Sequence, residues 1–344
     1  MKIVAITPDK KLDCVCTPII EGMNESGIDV IATDLGNSVI KAYSDEEVLE
    51  HSKDADYIFA FFGKVRDNNP PKYHLLHMIN RPDISVYIDG SEWTSTGYPD
   101  GKEIIDAPWG RVNSQVYEAK FNPKRCKGNP WINQPMKDFC KWYFKRECYL
   151  EDKENGIIPL NIGCQNKFFG NYNLNKDIDV FCSFGQLNNG FRYEIQNFCH
   201  SLKSKGYNVV IKNGLDYQDY LQHINRSFIS VSSWGAGNSC MRMWENMANS
   251  SCTFAQRTET LFPDKPQDGK HYVEYSNMQE FEEKIYYYLQ NKQTCVEIGK
   301  SAHDFVKVKH SGKARFQYII DNILNKHSQS NVINSCNDNV LGFA

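Results

Sequence analysis

The sequence predicts an α/β protein built from two Rossmann-like domains with a ligand cleft between them. Short β-branched apolar runs alternate with helical segments through the first half of the chain, which is typical of a parallel, doubly wound sheet. The same alternation starts again at Ile178. A chain of 344 residues is also too long for one ordinary core and suits two domains.

The first half contains four predicted strands and the helices that connect them. The strands are predicted at 2–7, 29–33, 56–62 and 84–88, and the helices at 15–25, 44–52 and 70–79. Ser44 followed by Glu47 is a capping box, which marks the start of the second helix. Pro70 stands in the first turn of the third helix, where its missing N–H leaves no hydrogen bond unmade.

The alternation is interrupted between the fourth strand and the second half. Residues 94–135 are rich in Gly, Pro and Asn, so we predict an irregular insertion there. A helix is predicted over 136–147 and a short strand over 157–160. The polar and aromatic segment 165–177 is predicted to be the crossing into the second domain.

The second half repeats the strand–helix alternation. Its strands are predicted at 178–183, 208–212, 228–232 and 253–255, and its helices at 191–205, 217–225, 241–248, 279–290, 295–306 and 314–325. We therefore predict domains of 1–170 and 171–325. The final helix is expected to return to the first domain, and the polar residues 326–344 are expected to form a disordered tail.

A strand, a glycine loop and a helix follow one another over 229–248. Ile229–Ser232 is short, apolar and β-branched, which is typical of a buried parallel strand. Gly235 and Gly237 let the backbone approach a ligand closely. A helix is predicted to begin near Asn238 or Ser239, so its free N–H groups and positive dipole end would face the loop and suit phosphate.

Two charged residues on that helix complete the motif. Arg242 and Glu245 are three apart and therefore lie on one helical face. Backbone amides and an arginine suit a diphosphate, and a carboxylate suits ribose hydroxyls, so the motif favours a nucleotide-sugar site. The alternative is an ordinary solvated helix face, since strand–loop–helix units occur throughout α/β proteins.

Composition and the N-terminal turn exclude several classes of protein. The first strand-to-helix turn, Pro8–Lys11, contains no glycine, so the dinucleotide fingerprint of a nicotinamide dehydrogenase is missing. A net charge of −3 gives no support to a nucleic-acid or anionic-membrane surface. No apolar run approaches the roughly 18 residues of a membrane span.

The cysteines and the N-terminus indicate a cytoplasmic protein. The 12 cysteines include no CxxC pair, and Cys14 and Cys16 match no common zinc spacing. Met1–Thr7 is too short an apolar run for a signal peptide. We therefore expect reduced, buried thiols and no metal site.

The second half contains a series of motifs in a fixed order, namely Asp179–Phe181, Gly185, Arg192, Tyr220–Leu221, Ser227–Ile229, the Gly235/Gly237 loop, Arg242–Ala248, Asp268–Gly269, His310 and Arg315. This order resembles that of the GT-B glycosyltransferases, particularly the CgeB-like, glycosyltransferase family 1-type group. The resemblance covers roughly 176–324, with a weaker likeness at Tyr143–Glu147 and Ile157–Leu160.

This resemblance implies a nucleotide-sugar in the second domain and an acceptor in the first, without a bound metal or other cofactor. It implies that the Glu245 carboxylate binds the donor ribose hydroxyls and that the Gly235–Gly237 loop lies beside the diphosphate. Arg192 and Lys212 are candidate diphosphate cations. Many retaining members carry a second glutamate eight residues before the ribose glutamate, whereas this sequence has Gly237 there.

We therefore expect a metal-independent glycosyltransferase, of hexosyltransferase type, that acts on a hydroxyl of a glycan, a glycoprotein or another acceptor. An enzyme that modifies DNA is a subcase of this function, and the net charge of −3 argues weakly against it. The candidate bases are Asp89 and Glu92, just after the fourth strand, and the alternative for each is a turn-capping carboxylate. Two other functions fit the same frame: a nucleotide-sugar 2-epimerase, and a catalytically degenerate protein that only binds a sugar.

Overall fold

Two separate parallel sheets form the framework of the protein. The computed structural model describes residues 1–7, 14–33, 41–62, 72–90, 133–173, 175–185, 190–235, 238–258 and 260–337. Within these ranges the first sheet has six strands and the second has five. The predicted α/β architecture with two Rossmann-like units is confirmed.

The first sheet occupies the N-terminal half. Its strands are β1 (Lys2–Ile6), β2 (Asp29–Ala32), β3 (Tyr57–Phe62), β4 (Ser85–Asp89), β5 (Trp142–Lys145) and β6 (Ile158–Pro159). The helices among them are α1 (Cys16–Glu25), α2 (Asp45–His51), α3 (Tyr73–Ile79), α4 (Gln134–Phe139) and α5 (Leu150–Glu154). The strand order is β2-β1-β3-β4-β5-β6.

The second sheet occupies the C-terminal half. Its strands are β7 (Ile178–Cys182), β8 (Val209–Ile211), β9 (Ser227–Ser232), β10 (Cys252–Gln256) and β11 (Val273–Tyr275). The helices are α6 (Gly190–Ser204), α7 (Tyr217–Asn225), α8 (Met241–Ala248), α9 (Met278–Gln290), α10 (Lys292–Lys309) and α11 (Gly312–Asn337). The strand order is β11-β10-β9-β7-β8.

Local sequence explains most of these elements. Strand β4 is buried along its whole length, as expected for a central parallel strand covered by helices on both faces. The predicted capping box is present at the start of α2. Ser44 Oγ accepts from the Glu47 N–H at 3.2 Å, and Glu47 Oε2 accepts from the Ser44 N–H at 2.8 Å.

The helix predicted over 136–147 is wrong in its second half. Helix α4 ends at Phe139, and β5 pairs in parallel with β4. All four residues of β5 are buried. Aromatic residues favour strands when a neighbouring strand supplies partners for their backbone groups, so the edge of β4 decides the conformation.

Other predicted segments differ at their ends or fall outside the described residues. Strand β11 was not predicted, because three residues are too few to show a periodicity. Helix α11 continues to Asn337, so the predicted disordered tail is helical as far as that residue. Residues 338–344 and the predicted insertion up to 132 lie outside the described residues.

Helix α11 returns to the first domain, as predicted, and packs directly on α1. A Cβ atom at Gly22 would lie 2.1 Å from Gly312 O, and one at Gly312 would lie 2.3 Å from Pro18 O. Only glycines allow this approach of one backbone to the other. One buried apolar cluster contains both Phe144 of the first sheet and Trp244 of α8, so the two halves share a core.

No helix in the described ranges is both long enough and apolar enough to cross a membrane.

Candidate functional site

The second sheet has a topological switch point at β7, where the chain changes direction. From β7 the chain adds β8 on one side and then β9 on the other. The segments that leave β7 and β9 therefore diverge at the carboxyl edge, which is where open α/β sheets bind ligands. The segment after β7 leads to Arg192, and the segment after β9 is the predicted glycine loop.

Two arginines converge on Phe184, the second residue after β7. The guanidinium carbons of Arg192 and Arg242 each lie 5.3 Å from the centroid of its ring. Arg192 is 8% exposed and donates to Ser233 O at 3.2 Å. Two positive charges that share one ring repel each other, while each is attracted to the face of the ring. Their combined field favours an anion at this edge of the sheet.

Gly235 makes room for one of these arginines. A Cβ atom at Gly235 would lie 3.3 Å from Arg192 Nη2, which is tighter than an ordinary contact. Arg242 forms no ion pair with the described residues, and among them it donates only to Cys240 Sγ, at 3.8 Å from Nη1. The predicted cations Arg192 and Arg242 therefore both lie against Phe184, and Arg192 also lies beside the first loop glycine.

Two other donor residues were predicted, Lys212 and Gly237. Lys212 follows β8 at the edge of the sheet and is exposed. Its role at the diphosphate remains a prediction. Gly237 lies outside the described residues.

Glu245 is buried behind a pair of tyrosines. It is 4% exposed, and its two oxygens accept from Tyr217 Oη at 3.1 Å and from Tyr220 Oη at 2.9 Å. Burial raises the pKa of Glu245, although the Arg242 charge and the two hydroxyls oppose that rise. A carboxylate has about four acceptor positions, so two tyrosines leave capacity for ligand hydroxyls.

The corresponding edge of the first sheet is occupied by a buried ion pair. Asp89 Oδ2 lies 3.0 Å from Lys145 Nζ, and both side chains are fully buried. The Tyr143 hydroxyl donates to the same oxygen. Asp89 would have to exchange these partners for an acceptor hydroxyl in order to act as a base. The other candidate base, Glu92, lies outside the described residues.

The start of α8 differs from the prediction. The helix begins at Met241, and the N–H groups of Asn238 and Ser239 donate to the Glu147 carboxylate at 3.0 Å each. These amides are therefore not free for phosphate. Sequence reasoning assigned Glu147 to Arg146, whose Nε lies 3.8 Å from Glu147 Oε1.

Sequence reasoning also missed Phe184, Tyr217 and Tyr220. The spacing of the tyrosines places them on one face of α7, which was the available signal, but it names no partner. Among the described residues, no cluster of His, Cys, Asp and Glu side chains is arranged to hold a metal ion.

A comparison with known protein families gives a match in the half of the chain that contains Arg192 and Arg242. Residues 172–321 match the family model described as glycosyl transferase-like. The matched segment contains Arg192, Arg242 and Glu245. The match is to the broad family and does not single out the CgeB-like group. A comparison with curated proteins gives no significant match.

Solved structures share the fold of the whole chain at low sequence identity. The Anabaena protein HepE, in a complex with UDP-glucose, is 10% identical with a TM-score of 0.52, over 94% of this chain and 100% of that one. An alpha-glucosyltransferase in a complex with UDP and a 13-mer DNA is 11% identical with a TM-score of 0.56, over 93% of this chain and 98% of that one. The chain thus has a two-sheet framework of the GT-B type, and the glycosyltransferase prediction is confirmed at the level of the family match over 172–321 and of the fold.

Proposed function

We propose that the protein transfers a hexose from a nucleotide-sugar to a hydroxyl acceptor, with the donor bound at the carboxyl edge of the second sheet. The observation that carries this proposal is the pair of guanidinium groups, Arg192 and Arg242, on the Phe184 ring at the point where the sheet changes direction. A diphosphate is the anion whose size and charge fit two cations. The matching structures, which contain UDP or UDP-glucose in their own sites, support the choice of a uridine nucleotide as the first probe.

The arginine pair would supply the electrostatic part of catalysis. Negative charge develops on the diphosphate as the glycosidic bond breaks, and fixed cations in a partly desolvated site stabilise that charge. Arg192 is held by Ser233 O and both arginines pack on Phe184, so little reorganisation is needed during the reaction. This cationic pair performs the task that a metal ion performs in other transferases.

Glu245 would bind the donor ribose. Its carboxylate is held by Tyr217 and Tyr220 and lies on the same helix as Arg242. Ribose hydroxyls that donate to a desolvated carboxylate form charge-assisted hydrogen bonds, which are stronger than neutral ones. The nucleoside and diphosphate contacts would therefore come from consecutive turns of α8.

The acceptor would bind against the carboxyl edge of the first sheet. Asp89 lies there, and we keep it as a candidate base together with Glu92. The net charge of −3 favours a glycan, a glycoprotein or a small hydroxyl compound over nucleic acid as the acceptor.

A thermal-shift screen of nucleoside diphosphates and nucleotide-sugars tests the donor site. A ligand at 100 times its dissociation constant should stabilise the protein by about 2.7 kcal/mol. Incubation of the bound nucleotide-sugar without an acceptor then separates the alternatives. An epimerase would convert the sugar without any acceptor, and a degenerate binding protein would leave it unchanged even with a mixture of glycan acceptors.

A further inference from the structure

Two consecutive backbone N–H groups before α8 donate to a carboxylate of the first domain, two residues after β5. Glu147 Oε2 accepts from the Asn238 N–H and Oε1 accepts from the Ser239 N–H, both at 3.0 Å. Glu147 has no solvent exposure. A carboxylate held by two parallel N–H groups near a helix start gains both charge-assisted hydrogen bonds and a favourable position in the helix dipole. The contact is therefore strong and geometrically specific.

Neighbouring residues of the first domain hold the side chains and the carbonyl of the same two residues. Arg146 Nη2 donates to Ser239 O at 2.5 Å. Ser239 Oγ donates to Asn161 Oδ1 at 2.6 Å. A further hydrogen bond joins Asn238 Nδ2 to the Tyr149 hydroxyl at 2.8 Å. We call the six residues that make these contacts the interdomain clamp, and they are Arg146, Glu147, Tyr149, Asn161, Asn238 and Ser239.

The clamp lies between the two parts of the proposed diphosphate site. Gly235, beside Arg192, precedes Asn238 in the loop, and Arg242 follows Ser239 in the first turn of α8. The placement of Asn238 and Ser239 therefore determines where the loop and the Arg242 side chain can lie. Because Glu147 belongs to the first domain, the donor site of the second domain is shaped by its neighbour.

We infer that Glu147 is a positioning residue for the donor diphosphate. It holds the loop and the start of α8 so that the arginine pair faces the ligand, and it does so without contact with the ligand itself. This inference rests on the proposed function. A site that is ordered before binding avoids the entropy cost of ordering a loop, so the loss of Glu147 should weaken the diphosphate contacts more than the nucleoside contacts.

The Glu147→Gln variant tests this role with two probes, UDP and uridine, in calorimetry on the full chain. The variant keeps the shape of the side chain, but its NH2 group would face one of the two backbone N–H groups, so one hydrogen bond is lost. We expect the UDP dissociation constant to rise about tenfold, the usual scale for a lost hydrogen bond to a charged group, while uridine affinity changes less than about twofold. In steady-state kinetics the KM for the nucleotide-sugar should rise more than kcat falls.

Glu154→Gln is the matched control, since it makes the same change at an exposed carboxyl of α5 that lies outside the clamp. Its UDP affinity should equal that of the wild type. An unchanged UDP affinity in a folded Glu147→Gln variant would overturn the inference, and so would an equal loss of UDP and uridine binding.

Hydrogen exchange of the wild-type protein tests the positioning role of Glu147 without the need for a folded variant. The amides of Asn238 and Ser239 should be protected in the free protein and remain protected with UDP bound. Loss of protection on adding UDP would show that phosphate displaces Glu147, which would overturn the positioning role. Wild-type protein that binds no nucleoside diphosphate would instead refute the proposed function.

Discussion

The charged side chains at the carboxyl edges of the two sheets are arranged in opposite ways. At the first sheet, Asp89 and Lys145 form an ion pair that is buried from solvent. At the second sheet, Arg192 and Arg242 lie on one phenylalanine ring, and Arg242 forms no ion pair among the described residues. The two charges at the first edge are opposite and neutralise each other, whereas the two charges at the second edge are both positive and attract an anionic ligand.

This difference separates a structural arrangement of charges from a binding arrangement. A buried pair gains from mutual attraction, and removal of one partner leaves an uncompensated charge in a low dielectric. Two like charges on one ring gain nothing from each other, so an anion between them improves the energy. The first edge should therefore respond to mutation mainly in stability, and the second mainly in ligand affinity and turnover.

The largest expected effect is on the buried pair. Lys145→Met should destabilise the protein by about 3–5 kcal/mol in urea unfolding, because it removes the ammonium group from the buried Asp89. Lys153→Met, at an exposed lysine of α5, is the control and should change stability by less than about 0.5 kcal/mol. The double variant with Asp89→Asn should recover most of the loss. A folded Asp89→Asn variant of normal stability that cannot turn over would instead assign Asp89 as the base.

The second-largest effect is expected at Glu245, the carboxylate proposed to bind the donor ribose. Glu245→Gln should weaken UDP binding by about 1.5–3 kcal/mol in calorimetry, since an amide cannot form the charged hydrogen bonds. Glu283→Gln, at an exposed position of α9, should leave the affinity unchanged. Unchanged UDP affinity in a folded Glu245→Gln variant would reject the ribose role.

The raised pKa of Glu245 predicts how the stability of the protein depends on pH. Burial raises the pKa of Glu245 above its unfolded value, so its stabilising contribution is present below the unfolded pKa and is lost as pH rises through the folded pKa. At neutral pH the ligand-free Glu245→Gln variant should therefore melt no lower than the wild type. As pH falls toward the unfolded pKa, the melting temperature of the wild type should rise relative to that of this variant. Thermal melts at several pH values would show this change.

Arg242→Ala should lower turnover about tenfold or more, corresponding to at least about 1.4 kcal/mol of lost transition-state stabilisation. The melting temperature without ligand should change little, because a cation in the first turn of a helix opposes the dipole. Arg226→Ala removes an exposed arginine that pairs with Asp177 and should leave turnover unchanged. A sharp fall in melting temperature with normal activity would make Arg242 a structural residue.

The smallest effect is expected at the tyrosine pair. Tyr217→Phe removes one hydroxyl from Glu245 and should reduce UDP affinity by about 0.5–1.5 kcal/mol. Tyr193→Phe, at a tyrosine that is 56% exposed on α6, should have no effect. Equal affinities for both variants and the wild type would show that Tyr217 does not orient the carboxylate.

Local sequence patterns predicted the framework and the strand and helix that flank the proposed donor loop. The body of helix α8, Met241–Ala248, was predicted, although the start expected near Asn238 or Ser239 was wrong. The final helix was correctly predicted to return to the first domain. Periodicity and capping act between residues that are close in the chain, so a sequence reveals them directly. The helix predicted over 136–147 failed because the neighbouring strand β4 supplied an edge that no local pattern describes.

The sequence by itself determined the α/β alternation, the glycine loop and the charged residues on α8, because those depend on side-chain order and local propensity. Only the tertiary structure decided which groups meet. Glu147 and Ser239 are 92 residues apart, and Tyr220 and Glu245 are 25 apart, yet both pairs form hydrogen bonds. Such contacts depend on the strand order of each sheet and on the docking of the two halves, and the separate segments carry no signal of either.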